Sequence, residues 1–354
     1  MRFVNPIWTA ATVSLFASFT TAQTTTKCNP VLTTCDPDEA LGMAIDVDFT
    51  QGAVNSFTSS GGTPTYGSDG VTFTITKEGD APQLNSVFYI MFGKVEITLK
   101  SAPGTGIVTS VVMQSDDLDE IDIELLGTDS SQVQLMYFGR GNQADNALAY
   151  ADAPNNQDTF TTYAMDWSSE RIAWSVGGEV VRVLESTTYP DKYPQTPMQI
   201  KFGIWAGGDS NNAAGTISWA GGTTDYSDGP FSATVQKIAV TDYSTGSDYV
   251  YGNMSGKWQS IESEGGEINA NADEAATVTE VSGASSTGSS TFPDSGISGG
   301  SSTASVSVMP SGWHMTSAGK IVPNASTMMK PPHALLLAGP ISFLVFFLCN
   351  AGWR

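Results

Sequence analysis

Six consecutive residues, Asp119, Glu120, Ile121, Asp122, Ile123 and Glu124, alternate acid and aliphatic side chains. A β-strand sends successive side chains to opposite faces, so Glu120, Asp122 and Glu124 are predicted to project together while Ile121 and Ile123 enter a packed interior. Along such a strand the Cα atoms of Glu120 and Glu124 lie roughly 13 Å apart, and carboxyls leaning inward close to about 5–6 Å. That separation suits double displacement at a glycosidic carbon, the chemistry of a retaining glycosidase. One carboxylate attacks and holds a covalent glycosyl intermediate, while the other protonates the leaving oxygen and then deprotonates the acceptor. Three carboxyls so close cannot all ionise freely, so at least one is expected to titrate high. Two other readings use the same residues. With Asp116, Asp117 and Asp119 just upstream, the cluster has oxygen ligands for Ca²⁺. It could also be a solvated strand face, although uninterrupted carboxylates repel along and across a sheet.

The elements that would position these acids are short strands. Runs rich in Val, Ile, Thr, Phe and Tyr recur at residues 44–49, 71–76, 87–99, 107–113, 121–126, 133–138, 160–167, 172–176, 180–184, 199–205 and 235–240, separated by Gly, Pro, Asn, Asp and Ser. Gly177-Gly178 reads as a tight hairpin turn. No stretch between Ala44 and Val250 sustains a helical period, so the prediction is an all-β sandwich of roughly a dozen strands. In the run from Gln199 to Trp205, alternation assigns Ile200, Phe202 and Ile204 to the core and Lys201, Gly203 and Trp205 to the other face. There a cation and a flat ring flank a glycine expected to leave room for a ligand. Aromatic rings stack on the apolar faces of sugars, and Lys donates to their hydroxyls. Trp167 and Trp174 read as core. Thr216 and Trp219 follow the polar loop from Asp209 to Asn212.

The chain has 354 residues and a formal charge of −21, from 15 Lys and Arg against 36 Asp and Glu, which argues against a nucleic-acid partner. Residues 1–22 hold Arg2, an apolar run and a small-residue end at Ala22, the pattern of a secretory signal rather than a bilayer span. Residues 324–354 combine small residues at Asn324-Ala325-Ser326, a spacer and an apolar tail. This is the pattern of a glycosylphosphatidylinositol (GPI) attachment signal with Asn324 as the acceptor. The tail is interrupted by Gly339-Pro340 and lacks a basic segment after it, which disfavours a transmembrane helix; Ser317, Ala318 and Gly319 are alternative attachment positions. Between these ends, residues 23–262 form the expected folded domain, and residues 263–323, rich in Ser, Gly and Thr, form an expected stalk. Loss of the tail removes Cys349 and leaves Cys28 and Cys35 to form a disulfide in an oxidising compartment. Two thiols without nearby His supply too few ligands for a metal site, and the only histidines, His314 and His333, exclude a histidine base in the core. No metal or cofactor is expected. Asn253-Met254-Ser255 is an N-glycosylation acceptor triplet.

The run from Ser115 to Glu124 resembles the active-site strand of glycoside hydrolase family 16. Tyr89-Ile90-Met91-Phe92-Gly93-Lys94-Val95, Ala102-Pro103-Gly104-Thr105-Gly106-Ile107-Val108 and Gly203-Ile204-Trp205-Ala206-Gly207-Gly208-Asp209 narrow the resemblance to the fungal Crh-type cell-wall transglycosylases, over roughly residues 25–255. The resemblance implies a concanavalin A-like β-jelly-roll with a sugar cleft across its concave sheet. It makes Glu120 the nucleophile, Asp122 the auxiliary acid and Glu124 the acid/base, and it gives Lys201, Trp205 and Thr216 contacts to the sugar chain along with Glu124. The implied reaction cuts a chitin donor and passes it to a β-glucan acceptor, by a protein GPI-anchored on the outer face of the membrane and in the cell wall. A hydrolase acting as chitinase or β-glucanase, and a non-catalytic wall lectin, are the alternatives. Two departures from the family stand out. Many relatives have an aromatic at the position of Ile123 or Leu125, whereas this chain is aliphatic at both, and two mature cysteines cannot build the Cys-rich chitin-binding module that some relatives carry.

Overall fold

The computed structural model describes residues 26–272 and the strands Thr277–Glu280, Trp313–Met315 and Ile321–Pro323. The signal sequence, most of the stalk and the anchor signal with Asn324 lie outside the described residues.

Two large sheets pack face to face as a β-jelly-roll. The front sheet runs in the order Asn142–Gln143, Gln132–Gly139, Glu120–Leu126, Ile107–Ser115, Met198–Ala206, Gln83–Ile90 and Phe57–Ser60, with Ala149–Asp152 also paired to Gln132–Gly139. The back sheet runs Glu179–Glu185, Arg171–Val176, Thr161–Trp167, Gly93–Lys100, Phe231–Asp242, Ala44–Asp48 and Thr277–Glu280, with Gly70–Ile75 and Thr65–Gly67 joined at Phe231–Asp242. Every ladder in these two sheets is antiparallel except that between Ala44–Val47 and Thr277–Glu280. Antiparallel strands with one face on the core produce the apolar-polar alternation seen in the sequence.

The core lies between the sheets. Ile121, Ile123 and Leu125 meet it from the acid-bearing strand, and Ile200, Phe202 and Ile204 from Met198–Ala206. Phe202 joins the layers: its ring packs 5.4 Å from Phe57 of the front sheet and 5.9 Å from Phe73 of the back sheet. Burying an aromatic of this size contributes about 2–3 kcal/mol. Trp167 and Trp174 are both fully buried, as their place in apolar runs predicts.

Two features differ from the expectation. The run from Val87 to Leu99 is two strands, because the chain crosses from the front sheet to the back sheet at Met91-Phe92. Phe92 adopts a left-handed backbone (φ 59°), and its ring sits 4.8 Å from Trp167. Beside it, the buried carboxylate of Asp242 accepts from the backbone N–H groups of Gly42, Met91 and Ser244 and from the Tyr249 hydroxyl. These donors hold the corner together with Gly93, whose φ of 151° and closeness to the Thr241 carbonyl leave no room for a side chain. The second difference is helix α1 (Ala214–Trp219), which carries Thr216. At six residues it is too short to leave a periodic signal.

A third, small sheet of Asp38–Glu39, Tyr249-bearing Asp248–Tyr251 and Ile261–Glu264 closes one end of the sandwich. Beyond residue 262 the chain still contacts the fold: the Asn271 side-chain amide donates to the carbonyls of Gly42 and Ser244. Cys28 and Cys35 form the expected disulfide, with Cα atoms 5.9 Å apart.

Candidate active site

The acid-bearing strand begins at a tight turn. The Asp119 backbone N–H donates to Ser115 Oγ, and Ser115 Oγ donates to Asp117 Oδ1 at 2.6 Å. The Asp119 carboxyl accepts from the backbone N–H groups of Arg140 and Gln195, and Thr196 Oγ1 lies within hydrogen-bond distance of both Asp117 and Asp119. Burial and the neighbouring Asp117 push Asp119 up to about 8. These upstream acids therefore tie the start of the strand to the 195–196 segment and to the adjacent strand end at Arg140. Among the described residues, no three His, Cys, Asp or Glu side chains are grouped to hold a metal ion.

From this anchor the strand Glu120–Leu126 runs with Ile121 and Ile123 in the core and Glu120, Asp122 and Glu124 on the outer face. The acids are recessed, at 2 %, 2 % and 9 % exposure. The ladders fix what stands beside them. Glu120 faces Gln114 on one side and Phe138 on the other; Asp122 faces Val112 and Met136; Glu124 faces Ser110 and Gln134.

Glu120 is held from two directions. Gln114 Nε2 donates to Glu120 Oε2 at 2.7 Å, and Asp122 shares a hydrogen bond with the same carboxyl group. Gln114 is itself oriented, because Lys201 Nζ donates to its Oε1 at 2.6 Å. Its amide nitrogen must then point at Glu120. Burial raises Glu120 above the ordinary carboxylate range, and the bonds with Asp122 and Gln114 and the Lys201 charge offset only part of that rise. Asp122 is raised well above the ordinary carboxylate range, first by burial, then by the charges of Glu120 and Glu124 and its bond to Glu120. The proton of this pair consequently resides on Asp122, which donates it to an anionic Glu120. The high-titrating acid expected among the three is thus placed in the middle of the row. Lys201 is lowered mainly by burial, and the nearby charges of Glu120 and Asp116 hold it up.

Trp205 and Trp219 form a stacked pair with ring centroids 5.9 Å apart and planes 25° from parallel. Trp219 Nε1 donates to Gln134 Oε1 at 2.8 Å, which connects this aromatic pair to the residue opposite Glu124. Trp205 Nε1 is buried and makes no hydrogen bond. Thr216, one turn before Trp219 on α1, is 4 % exposed. Gly203 serves a purpose other than the room for a ligand read from the sequence. A Cβ there would lie 2.3 Å from the Pro82 carbonyl oxygen and 2.6 Å from Gln83 Cα, so the glycine admits the neighbouring backbone.

Residues 51–221, which contain the acid row, Gln114, Lys201, Trp205 and Thr216, match the model of glycosyl hydrolases family 16. Over 96 % of its length the chain is 52 % identical to Crh-like protein 4 of Botryotinia fuckeliana, covering 96 % of that protein. The chain is a Crh-like member of family 16. Congo red hypersensitive protein 1 of Saccharomyces cerevisiae is 48 % identical across 70 % of this Crh-like chain and 50 % of its own length. Among solved structures, Apo Crh5 transglycosylase superposes with a TM-score of 0.65 at 43 % identity, covering 67 % of this chain and all of the other. Crh5 transglycosylase in complex with NAG gives 0.66 at the same identity and coverage. This Crh-like protein is accordingly an enzyme of the glycoside hydrolase and transglycosylase class, acting on polysaccharide. Two of its site residues, Gln114 and Gln134, carry no motif; the ladders that place them opposite Glu120 and Glu124 are what reveal them.

Proposed function

We propose that this protein is a retaining transglycosylase that cleaves chitin and transfers it to β-glucan, cross-linking the fungal cell wall. The observation that carries the reading is the state of Glu120: a recessed carboxylate, kept anionic by Asp122 and Gln114, in one row with Glu124. In the first step Glu120 attacks the anomeric carbon, the glycosidic C–O bond breaks, and the leaving oxygen takes a proton from Glu124. In the second, an acceptor hydroxyl gives its proton to Glu124, bonds to the anomeric carbon and releases Glu120. Asp122 is the auxiliary acid, since its shared proton follows the charge on Glu120 as that charge is spent and restored. Lys201 and Trp205 flank the row on one side and are suited to donor sugars through N–H donors and a ring face, with Thr216 contributing from α1.

The secretory signal, the Ser-rich stalk and the anchor signal at Asn324 support a site of action at the outer face of the membrane and in the wall. Release of the mature protein from membranes by a phosphatidylinositol-specific phospholipase tests the anchor. Asn253 is exposed at a turn and supports N-glycosylation there; its test is a mobility shift on glycan removal that Asn253→Gln abolishes.

The decisive experiment incubates chitin oligomers with labelled β-glucan oligomers and analyses the products by mass. Transfer predicts mixed chains from the native enzyme and none from Glu120→Gln. Turnover by Glu120→Gln at the native rate would remove the catalytic reading, and native hydrolysis without mixed chains would replace the transferase by a hydrolase.

A further inference from the structure

The geometry points to Tyr150 as the stacking platform for the acceptor glucan, at a binding subsite on the side of the acids away from Trp205. This assignment rests on the transfer reaction proposed above and specifies where the second polymer lies.

Residues paired across an antiparallel ladder share a face of the sheet. Tyr150 pairs with Gln134, Gln134 with Glu124, Glu124 with Ser110, and Ser110 with Gly203. These residues form one row across the front sheet at right angles to its strands. Trp205, two residues from Gly203 on its strand and therefore on the same face, lies on one side of the acids, and Tyr150 lies on the other. Tyr150 is 57 % exposed, on an outer strand whose one partner in the sheet is Gln132–Gly139. A large ring so open to solvent, in line with an acid/base, has a face free for a ligand.

The direction of the reaction assigns that face. Once the glycosyl unit is bonded to Glu120, the donor occupies its own side of the row and the leaving group has departed from the other. The acceptor must enter where the leaving group left, because Glu124 serves both oxygens. With donor sugars on the Lys201 and Trp205 side, the open side is the floor of Gln134 and Met136, bounded by Tyr150. Two strand spacings separate Tyr150 from Glu124, roughly 10 Å between backbones, which seats a ring beyond the one whose hydroxyl attacks. Gln134 is fixed between these rings by its bond from Trp219 and offers its amide to hydroxyls. Gln134 and Met136 carry no charge, which fits a neutral polymer such as glucan.

The test compares the native mature enzyme with Tyr150→Ala, Tyr150→Phe and Tyr150→Trp. A fixed chitin-oligomer donor is used with labelled linear β-glucan oligomers of increasing concentration and length. Loss of one stacking contact predicts an acceptor KM raised about three- to tenfold in Tyr150→Ala. At low acceptor the ratio of mixed to hydrolysed product falls correspondingly, and saturating acceptor restores it. Tyr150→Phe and Tyr150→Trp keep the native acceptor KM because they keep a ring face. The gain in KM from lengthening the acceptor by one glucose disappears in Tyr150→Ala alone. An acceptor KM in Tyr150→Ala equal to the native one, with mixed product still formed, overturns the Tyr150 subsite and leaves the transfer reaction standing. Absence of mixed product from the native enzyme overturns both.

Discussion

Replacing Gln114 by Met tests the claim that the nucleophile is positioned through a relay from Lys201. The side chain is 3 % exposed, accepts from Lys201 Nζ at 2.6 Å and donates to Glu120 Oε2 at 2.7 Å. Methionine keeps the volume but removes both polar contacts, and the bond to the anionic Glu120 is charge-assisted. That bond is strongest to the ground-state anion, so its loss slows glycosyl-enzyme formation through lost positioning of Glu120 rather than by its whole energy, by roughly tenfold. The pH profile provides a second, independent signature. Gln114 is among the groups that lower Glu120, so its loss raises the Glu120 pKa, and the anion needed for attack is lost at a higher pH. The acidic limb of the rate should therefore move upward. A chitin oligosaccharide with a chromogenic leaving group, followed through its pre-steady-state burst from acidic to neutral pH, reads both effects. A burst rate within twofold of native with an unmoved acidic limb would refute the relay, and a melting temperature measured alongside separates it from misfolding.

Two further predictions concern stability. Burial and the charges of Asp116 and Asp117 push Asp38 up to about 8, so the folded protein keeps a proton there that the unfolded chain releases near 3.8. Its stabilising contribution is complete below about pH 4 and is lost as pH rises toward 8, by roughly 1.4 kcal/mol per pH unit at most; Asp38→Asn should flatten the fall in melting temperature over that range, and an unchanged slope would contradict the assignment. Removing the disulfide with Cys28→Ser and Cys35→Ser should cost about 2.5 kcal/mol from the freed loop, read by urea denaturation. A change below about 0.5 kcal/mol would mean that this loop is already constrained in the unfolded chain.

The acid row, the core strands and the buried Trp167 and Trp174 were legible because alternation and apolar runs are local properties. The corner at Met91-Phe92 was not, since a single Gly93 inside an apolar run also reads as a strand glycine, and the left-handed Phe92 beside it packs on Trp167, a contact distant in sequence. Gln114 was hidden for a different reason. Its importance depends on the register that sets it opposite Glu120, and register is a property of two strands at once. Gly203 was misread because a missing side chain looks the same in sequence whether a ligand or a neighbouring backbone needs the space. The short α1 escaped notice for want of length, although it carries both Thr216 and the Trp219 that fixes Gln134.

The parallel strand Thr277–Glu280 has a mechanical consequence. It lies against Ala44–Val47 at the margin of the back sheet, whereas the acids open outward from the front sheet. Tension carried along the polypeptide past Glu280 enters the molecule through that short ladder and loads it in shear. The whole hydrophobic layer stands between this point and the strand Glu120–Leu126. Under the anchor proposed at Asn324, a pull on the chain would load the margin of the back sheet first, with the acid-bearing strand in the opposite sheet.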